Sequence, residues 1–164
     1  MKVAIDRYEA MHCASVAAHR SVNAHYDGRK LERDSHFIQT GLSKHYVGAL
    51  GEYAVAKALN RHWCPAIRRL DDGTGDVDQL QVKATTRRDG CLIVDVKDQE
   101  QFWFFLAVLS VQPGQIAVTL PGKILGSEAK QKQFFRERNM AQNIHRGGFF
   151  VPQSQLIPIE KDFA

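Results

Sequence analysis

No apolar run in this sequence approaches the ~20 residues that span a bilayer. The stretch FWFFLAVLSV, ten residues without a charge from Phe102 to Val111, has the length of a buried strand. The N-terminus, MKVAIDRYEAMHCASVAAHR, is broken by charges and histidines where a signal peptide needs an unbroken apolar core. Both absences lead us to expect a soluble, cytoplasmic protein with no membrane partner. Cysteine is scarce: Cys13, Cys64 and Cys91 are far apart, odd in number and form no CxxC pair. That excludes a disulfide framework and a cysteine-rich zinc site, and suits a reducing compartment. Internal repeats and low-complexity segments are also missing.

What is present is one domain's worth of chain. With 164 residues and 44% hydrophobic composition, the sequence buries one core and is too short for two comfortable domains, so 1–164 is read as a single unit. The net charge of +4 mildly favours a polyanionic partner such as nucleic acid. Asp6 to about His25 reads as an amphipathic helix with Tyr8, Met11, Val16 and Ala17 on its apolar face. Asp27 to His36, DGRKLERDSH, is a charged connector. SKHYVGALGEYAVAKALN offers Ser43 as an N-cap, Val47, Leu50, Ala54 and Ala58 near one face, and Asn60 as a stop. Gly48 and Gly51 within it allow another backbone to approach.

After this helix the period turns strand-like. CPAIRRL is a short strand candidate, DDGTGD a turn, and LQVKATT and CLIVDV are strands joined by RRDG. FWFFLAVLSV and QIAVTL follow as strands. GSEAKQKQFFRERNM, Gly126 to Met140, reads as a helix, and GGFFVPQSQLIPI as a closing strand and docked tail. Helices first, then mostly antiparallel strands, then a helix and a strand predict an α/β or α+β sandwich around one mixed sheet.

The chemistry concentrates in GDVDQLQVKATT. Alternation puts Gln81, Lys83 and Thr85 on one face of the strand and Leu80, Val82 and Ala84 on the other. The preceding turn carries Asp76 and Asp78. Mg²⁺ is satisfied by one or two carboxylates plus carbonyls, water and phosphate. Asp76, the side-chain carbonyl of Gln81 and the backbone carbonyl of Val82 offer such a set, with Asp78 as the alternative acid. Glu52, an acid among the small residues of GALGEYAVAKAL, adds a ligand or a water-mediated contact if it faces the same point. Phosphodiester hydrolysis needs charge neutralisation, an activated water and a nearby cation, which Lys83 supplies.

A helical GE, then Asp, a short gap, and Glu or Gln, any residue, Lys resembles the PD-(D/E)XK nuclease superfamily. The likeness is greatest to its small prokaryotic and phage-encoded members with glutamine in the third position, and it covers roughly Ser43 to Leu120. The resemblance implies a restriction-endonuclease-like fold, a central mixed β-sheet flanked by helices, with an N-terminal helix and connector over 1–42 and the nuclease core over 43–164. It implies Mg²⁺-dependent cleavage of DNA, in which Glu52 is the helical acid, Asp76 the principal metal ligand, Gln81 a weaker ligand and Lys83 the catalytic lysine. Glutamine in place of a carboxylate removes one negative charge from the metal shell. Affinity for Mg²⁺ should fall, with Mn²⁺ as a possible substitute. Arg87 and Arg88 after the active strand, and Arg68 and Arg69 before it, are candidate phosphate contacts. Double-strand cleavage would call for a homodimer, of which the sequence carries no independent sign.

Each residue alone has an ordinary explanation. Asp76 and Asp78 suit a turn, Gln81 and Lys83 the solvent face of a strand, and Glu52 an exposed helix position. What favours the nuclease is their order and the elements between them. The alternative function is a non-catalytic nucleic-acid-binding protein that retains the nuclease fold. His12, His19 and His25 lack ligand spacing, and the aromatic FWFF run reads as core.

Overall fold

The computed structural model describes residues 1–27, 37–63, 65, 75–137, 139, 141, 144 and 147–159, with the backbone only for 37–42. In chain order its elements are β1 (Lys2–Ile5), α1 (Arg7–Tyr26), α2 (Phe37–Ala58), β2 (Leu80–Thr85), β3 (Leu92–Val94), β4 (Trp103–Gln112), β5 (Gln115–Thr119), β6 (Lys123–Leu125), α3 (Gly126–Ala129), β7 (Phe135–Arg136) and β8 (Gly148–Val151).

Strand β4 is the axis of the fold because both of its faces are apolar. Phe105, Ala107 and Leu109 enter one hydrophobic cluster with α1, α2 and β1. Phe104, Leu106 and Val108 enter a second, with β3, β6, α3 and β8. A strand covered on both faces reads as an unbroken apolar run instead of an alternating one. The cover ends before the strand does, since Val111 is exposed.

The central sheet runs β1-β5-β4-β2, with β6 on the opening residues of β4. The β2–β4 pair is parallel, in register Lys83 to Leu106, and the other described pairs are antiparallel. A second sheet runs β3-β8-β7. The molecule is thus α/β with a mixed central sheet: α1 and α2 flank one face, and α3 with the small sheet flanks the other. No described helix is long and apolar enough to cross a membrane.

Helix α1 starts where its capping box dictates. Asp6 Oδ1 accepts from the Tyr8 and Glu9 N–H groups, and Glu9 Oε2 accepts from the Asp6 N–H. Its inward face is Cys13, Val16, Ala17 and Ala24, whereas Tyr8 and Met11, expected on the apolar face, point to solvent. Helix α2 begins at Phe37, so Ser43 lies inside it and caps nothing. It ends before Asn60, whose φ of 51° is the left-handed geometry that stops a helix. Gly51 permits the close approach to the sheet: a Cβ there would stand 2.8 Å from the Ala84 Cβ and 3.1 Å from that of Ala107. Gly48 has no such neighbour.

One expectation about the elements is corrected: Gly126 to Met140 is not one helix. After the four residues of α3 the chain makes a 3-10 turn at Lys132–Phe134 and then β7. Burial of Phe134 and the pairing of Phe135 with Phe149 override the helical propensity of the segment. RRDG joins two strands as expected, and β3 then pairs with β8 instead of β2. Strand β1, absent from the sequence reading, pairs with β5 across more than a hundred residues. The connector 28–36 and most of CPAIRRL and DDGTGD lie outside the described residues.

Candidate active site

The site is built on β2, the last strand of the central sheet. Leu80 is buried in the helix-side cluster, and Val82 and Ala84 pack against it. Gln81 and Lys83 therefore take the opposite face, as alternation requires. Just upstream the chain folds back on itself. The Gly75 N–H donates to the Asp78 carbonyl and the Asp76 N–H to the Leu80 carbonyl, both at 2.7 Å, with Asp78 at a φ of 53°. Gly75 is required here, since a Cβ would lie 2.5 Å from the Leu80 backbone. The turn lays Asp76 along the open edge of β2, where its Oδ2 accepts the Val82 N–H at 2.7 Å. The N–H and C=O of one strand residue point to the same edge, so the Val82 carbonyl faces this edge too.

Glu52 approaches from α2. It is buried, and both its oxygens accept from Arg20 of α1 at 2.8 Å, with a third hydrogen bond from Trp63 Nε1 at 3.2 Å. Asp76 lies within electrostatic reach. Burial first, and then the charge of Glu52, push its carboxyl up to about 6, against the opposing pull of the Val82 N–H, Lys83 and Arg20. Burial depresses the Arg20 guanidinium. Hydrogen bonding and charge from Glu52, with the charge of Asp76, outweigh that and hold it above its usual value.

On the other face of β2 the Lys83 ammonium donates to Asp98 Oδ2 at 2.7 Å and lies 5.4 Å from the centre of the Phe104 ring. The Gln81 amide makes no side-chain hydrogen bond among the described residues. Asp78 is exposed and pairs with Arg61 at 3.1 Å. Its side chain turns to solvent as a turn residue's does. Arg87 and Arg88 are exposed just beyond β2. Arg68 and Arg69 lie outside the described residues.

The structure therefore sets Glu52 and Lys83 within electrostatic reach of Asp76, with Glu52 held by Arg20 and Lys83 by Asp98, and sets Asp78 apart. Sequence reasoning missed Arg20, Trp63 and Asp98. Arg20 and Asp98 are long-range charge partners with no local signature. Among the described residues no group of three or more His, Cys, Asp or Glu side chains is arranged to hold a metal ion. Asp76 and the Val82 carbonyl share one edge of β2 and are the kinds of oxygen donor that Mg²⁺ commonly uses, whereas both oxygens of Glu52 are held by Arg20. Cys13 is no nucleophile: burial and the Glu52 charge push its thiol up to about 12. A concavity of about 200 Å³ lined by Lys2, Ser110, Gln112, Gln115 and Ala117 includes none of these residues. No protein-family model, curated protein or solved structure matches the chain.

Proposed function

We propose that the chain is a divalent-metal-dependent phosphodiesterase acting on DNA, with its site at the open edge of β2. The observation that carries this reading is the placement of Asp76 on the edge of β2, its Oδ2 on the Val82 N–H at 2.7 Å beside the Val82 carbonyl. Burial and the charge of Glu52 raise its carboxyl, as is common where an acid is kept for function. Asp76, Gln81, the Val82 carbonyl and Glu52 would hold Mg²⁺ or Mn²⁺. Bound there, the metal would supply Lewis-acid neutralisation of the phosphate and a more acidic water.

The chain's own residues do the rest. The Val82 N–H fixes one oxygen of Asp76 and leaves the other to face the site. Asp98 fixes the Lys83 ammonium, whose charge stabilises the negative oxygens that build up as water attacks phosphorus. Arg87 and Arg88 hold the phosphate backbone on either side.

A second reading is a nucleic-acid-binding protein without catalysis. It is favoured by the Arg20 fork, which takes both oxygens of Glu52, and by the neutral Gln81. A cleavage assay on supercoiled, linear and single-stranded DNA with Mg²⁺, Mn²⁺ or chelator separates the two. Metal-dependent cleavage lost in Lys83→Ala supports the enzyme, and binding without cleavage on any substrate supports the second reading.

A further inference from the structure

The outward face of α1 has the composition of an interface. Tyr8, Met11, Val22 and Tyr26 are 79%, 62%, 53% and 84% exposed, and Ser15 and Ala18 between them are exposed as well. Successive steps of three, four, three, four and four residues match the helical period, so the six form one stripe ~27 Å long. The exposed positions from Tyr8 to Tyr26 carry no Asp, Glu, Lys or Arg; His12, His19 and His25 are exposed beside the stripe, and exposed Arg7 precedes it. Glu9 is turned inward to Lys57 and Tyr53, and Arg20 to Glu52. An outward helix face is ordinarily its charged face. Depletion of charge with enrichment of aromatics and Met is the mark of an interface centre.

The order of the stripe identifies the occupant. Read from either end it runs large, large, small, small, large, large. Reflection about its middle places Tyr8 opposite Tyr26, Met11 opposite Val22, and Ser15 opposite Ala18. A two-fold axis through the middle of an antiparallel helix pair performs this exchange, and isologous contacts must be self-complementary in this way. Small residues at the crossing let the two helices approach, and the bulky ends pack on each other. A nucleic acid would demand several Lys and Arg along this face, and exposed Arg7, at its N-terminal end, is the one there. The exposed aromatics contribute ~200 Å² each. With Met11 and Val22 the stripe presents ~500–600 Å² per copy, so a pair buries ~1,000–1,200 Å², which reaches the lower bound of specific interfaces.

We infer that the chain forms a two-fold dimer through an antiparallel α1–α1 contact centred between Ser15 and Ala18. The inference does not depend on the proposed activity.

Sedimentation equilibrium tests it on the full chain and on charged variants of two exposed positions, which leave the core untouched. Wild type is expected to sediment at twice the chain mass, and Met11→Glu and Val22→Lys each to dissociate about 100-fold more readily. Since residue 11 faces residue 22 of the other copy only in the antiparallel pair, the double variant Met11→Glu/Val22→Lys is expected to regain the dimer. An equimolar mixture of the two single variants is expected to regain it too. A wild type monomeric at 100 μM, a dimer indifferent to either charge, or absence of rescue by the double variant would overturn the proposal.

Discussion

The Lys83 ammonium donates to Asp98 Oδ2 at 2.7 Å, and the same oxygen accepts the Asp95 N–H at 2.9 Å. One carboxylate oxygen thereby ties the middle of an edge strand to the loop that follows β3. The lysine is held over the Phe104 ring instead of sweeping through solvent. A lysine immobilised in this way has already lost the side-chain entropy that ordering it would cost at a later step.

Asp98→Ala removes the acceptor of both donors, and we expect a loss of ~1–3 kcal/mol in urea unfolding. Asp98→Asn keeps an acceptor for the Asp95 N–H and is expected to cost less. Under the proposed function, both variants lower kcat by ~10–100-fold with DNA affinity little changed, because the lysine loses its position and not its charge. Stopped-flow cleavage and fluorescence anisotropy on the same duplex separate these effects. Unchanged turnover in Asp98→Ala would show that Asp98 is structural only.

The Arg20 fork on Glu52 makes the opposite kind of prediction, one about folding. The Glu52 side chain is 8% and the Arg20 side chain 14% exposed, so removing one partner strands a buried charge. Arg20→Ala is expected to cost ~3–5 kcal/mol and Arg20→Ala/Glu52→Gln distinctly less, because the second change removes the stranded charge. Chemical denaturation of the four members of this double-mutant cycle measures the coupling. Additive losses would place the two residues outside one network.

Much of the local geometry was legible before the structure. Alternation in LQVKATT put Lys83 opposite Val82 and Ala84, and Val82 and Ala84 do pack toward the helices. Of the two glycines expected to admit a close approach, Gly51 does and Gly48 does not, because helical spacing does not say which of them meets the sheet. The misses share a physical cause, since each was decided by residues distant in sequence. Phe135 is drawn into a strand by Phe149, and β1 exists because β5 offers it an edge. Tyr8 and Met11 looked like core because helical spacing marks a stripe without saying what covers it. Arg20 and Glu52 are 32 residues apart and Lys83 and Asp98 are 15, so topology alone selects these partners among the chain's charges.

Gly51→Ala tests how tightly α2 is seated on the sheet. Alanine favours helix over glycine by ~1 kcal/mol, but its methyl would intrude on Ala84 and Ala107. Overpacking of this kind costs ~1–3 kcal/mol, so we expect the variant to be less stable despite its better propensity. Glu52 is the next residue along α2, and a shift of the helix would carry it away from Asp76. A variant more stable than wild type in thermal unfolding would mean that α2 rides higher on the sheet.

Gln81→Glu adds the charge that the resemblance associates with this position. If Gln81 contributes its carbonyl to the metal, we expect half-maximal cleavage at a Mg²⁺ concentration lower by about ten-fold. Titration of cleavage against Mg²⁺ and Mn²⁺ reads this directly. An unchanged requirement for both metals would remove Gln81 from the ligand set.

Asp76 carries a prediction whose sign distinguishes function from architecture. Its carboxyl is raised to about 6 by burial and by Glu52, against ~4 for an exposed aspartate. Between these two values the folded chain binds a proton that the unfolded chain releases, so stability falls as pH rises through the interval. The contribution of Asp76 is therefore fully present below about 4 and lost above about 6, a difference of ~1–3 kcal/mol. Asp76→Asn keeps an oxygen for the Val82 N–H but cannot ionise. At pH 7.5 it should be more stable than wild type by that amount, and near pH 4 the two should converge. Urea midpoints at pH 4, 5, 6, 7 and 7.5 trace the difference, and the same variant should lose metal-dependent cleavage. A residue kept for structure would instead lose stability on this change at neutral pH, and that result would remove the main physical argument for a cation site at the edge of β2.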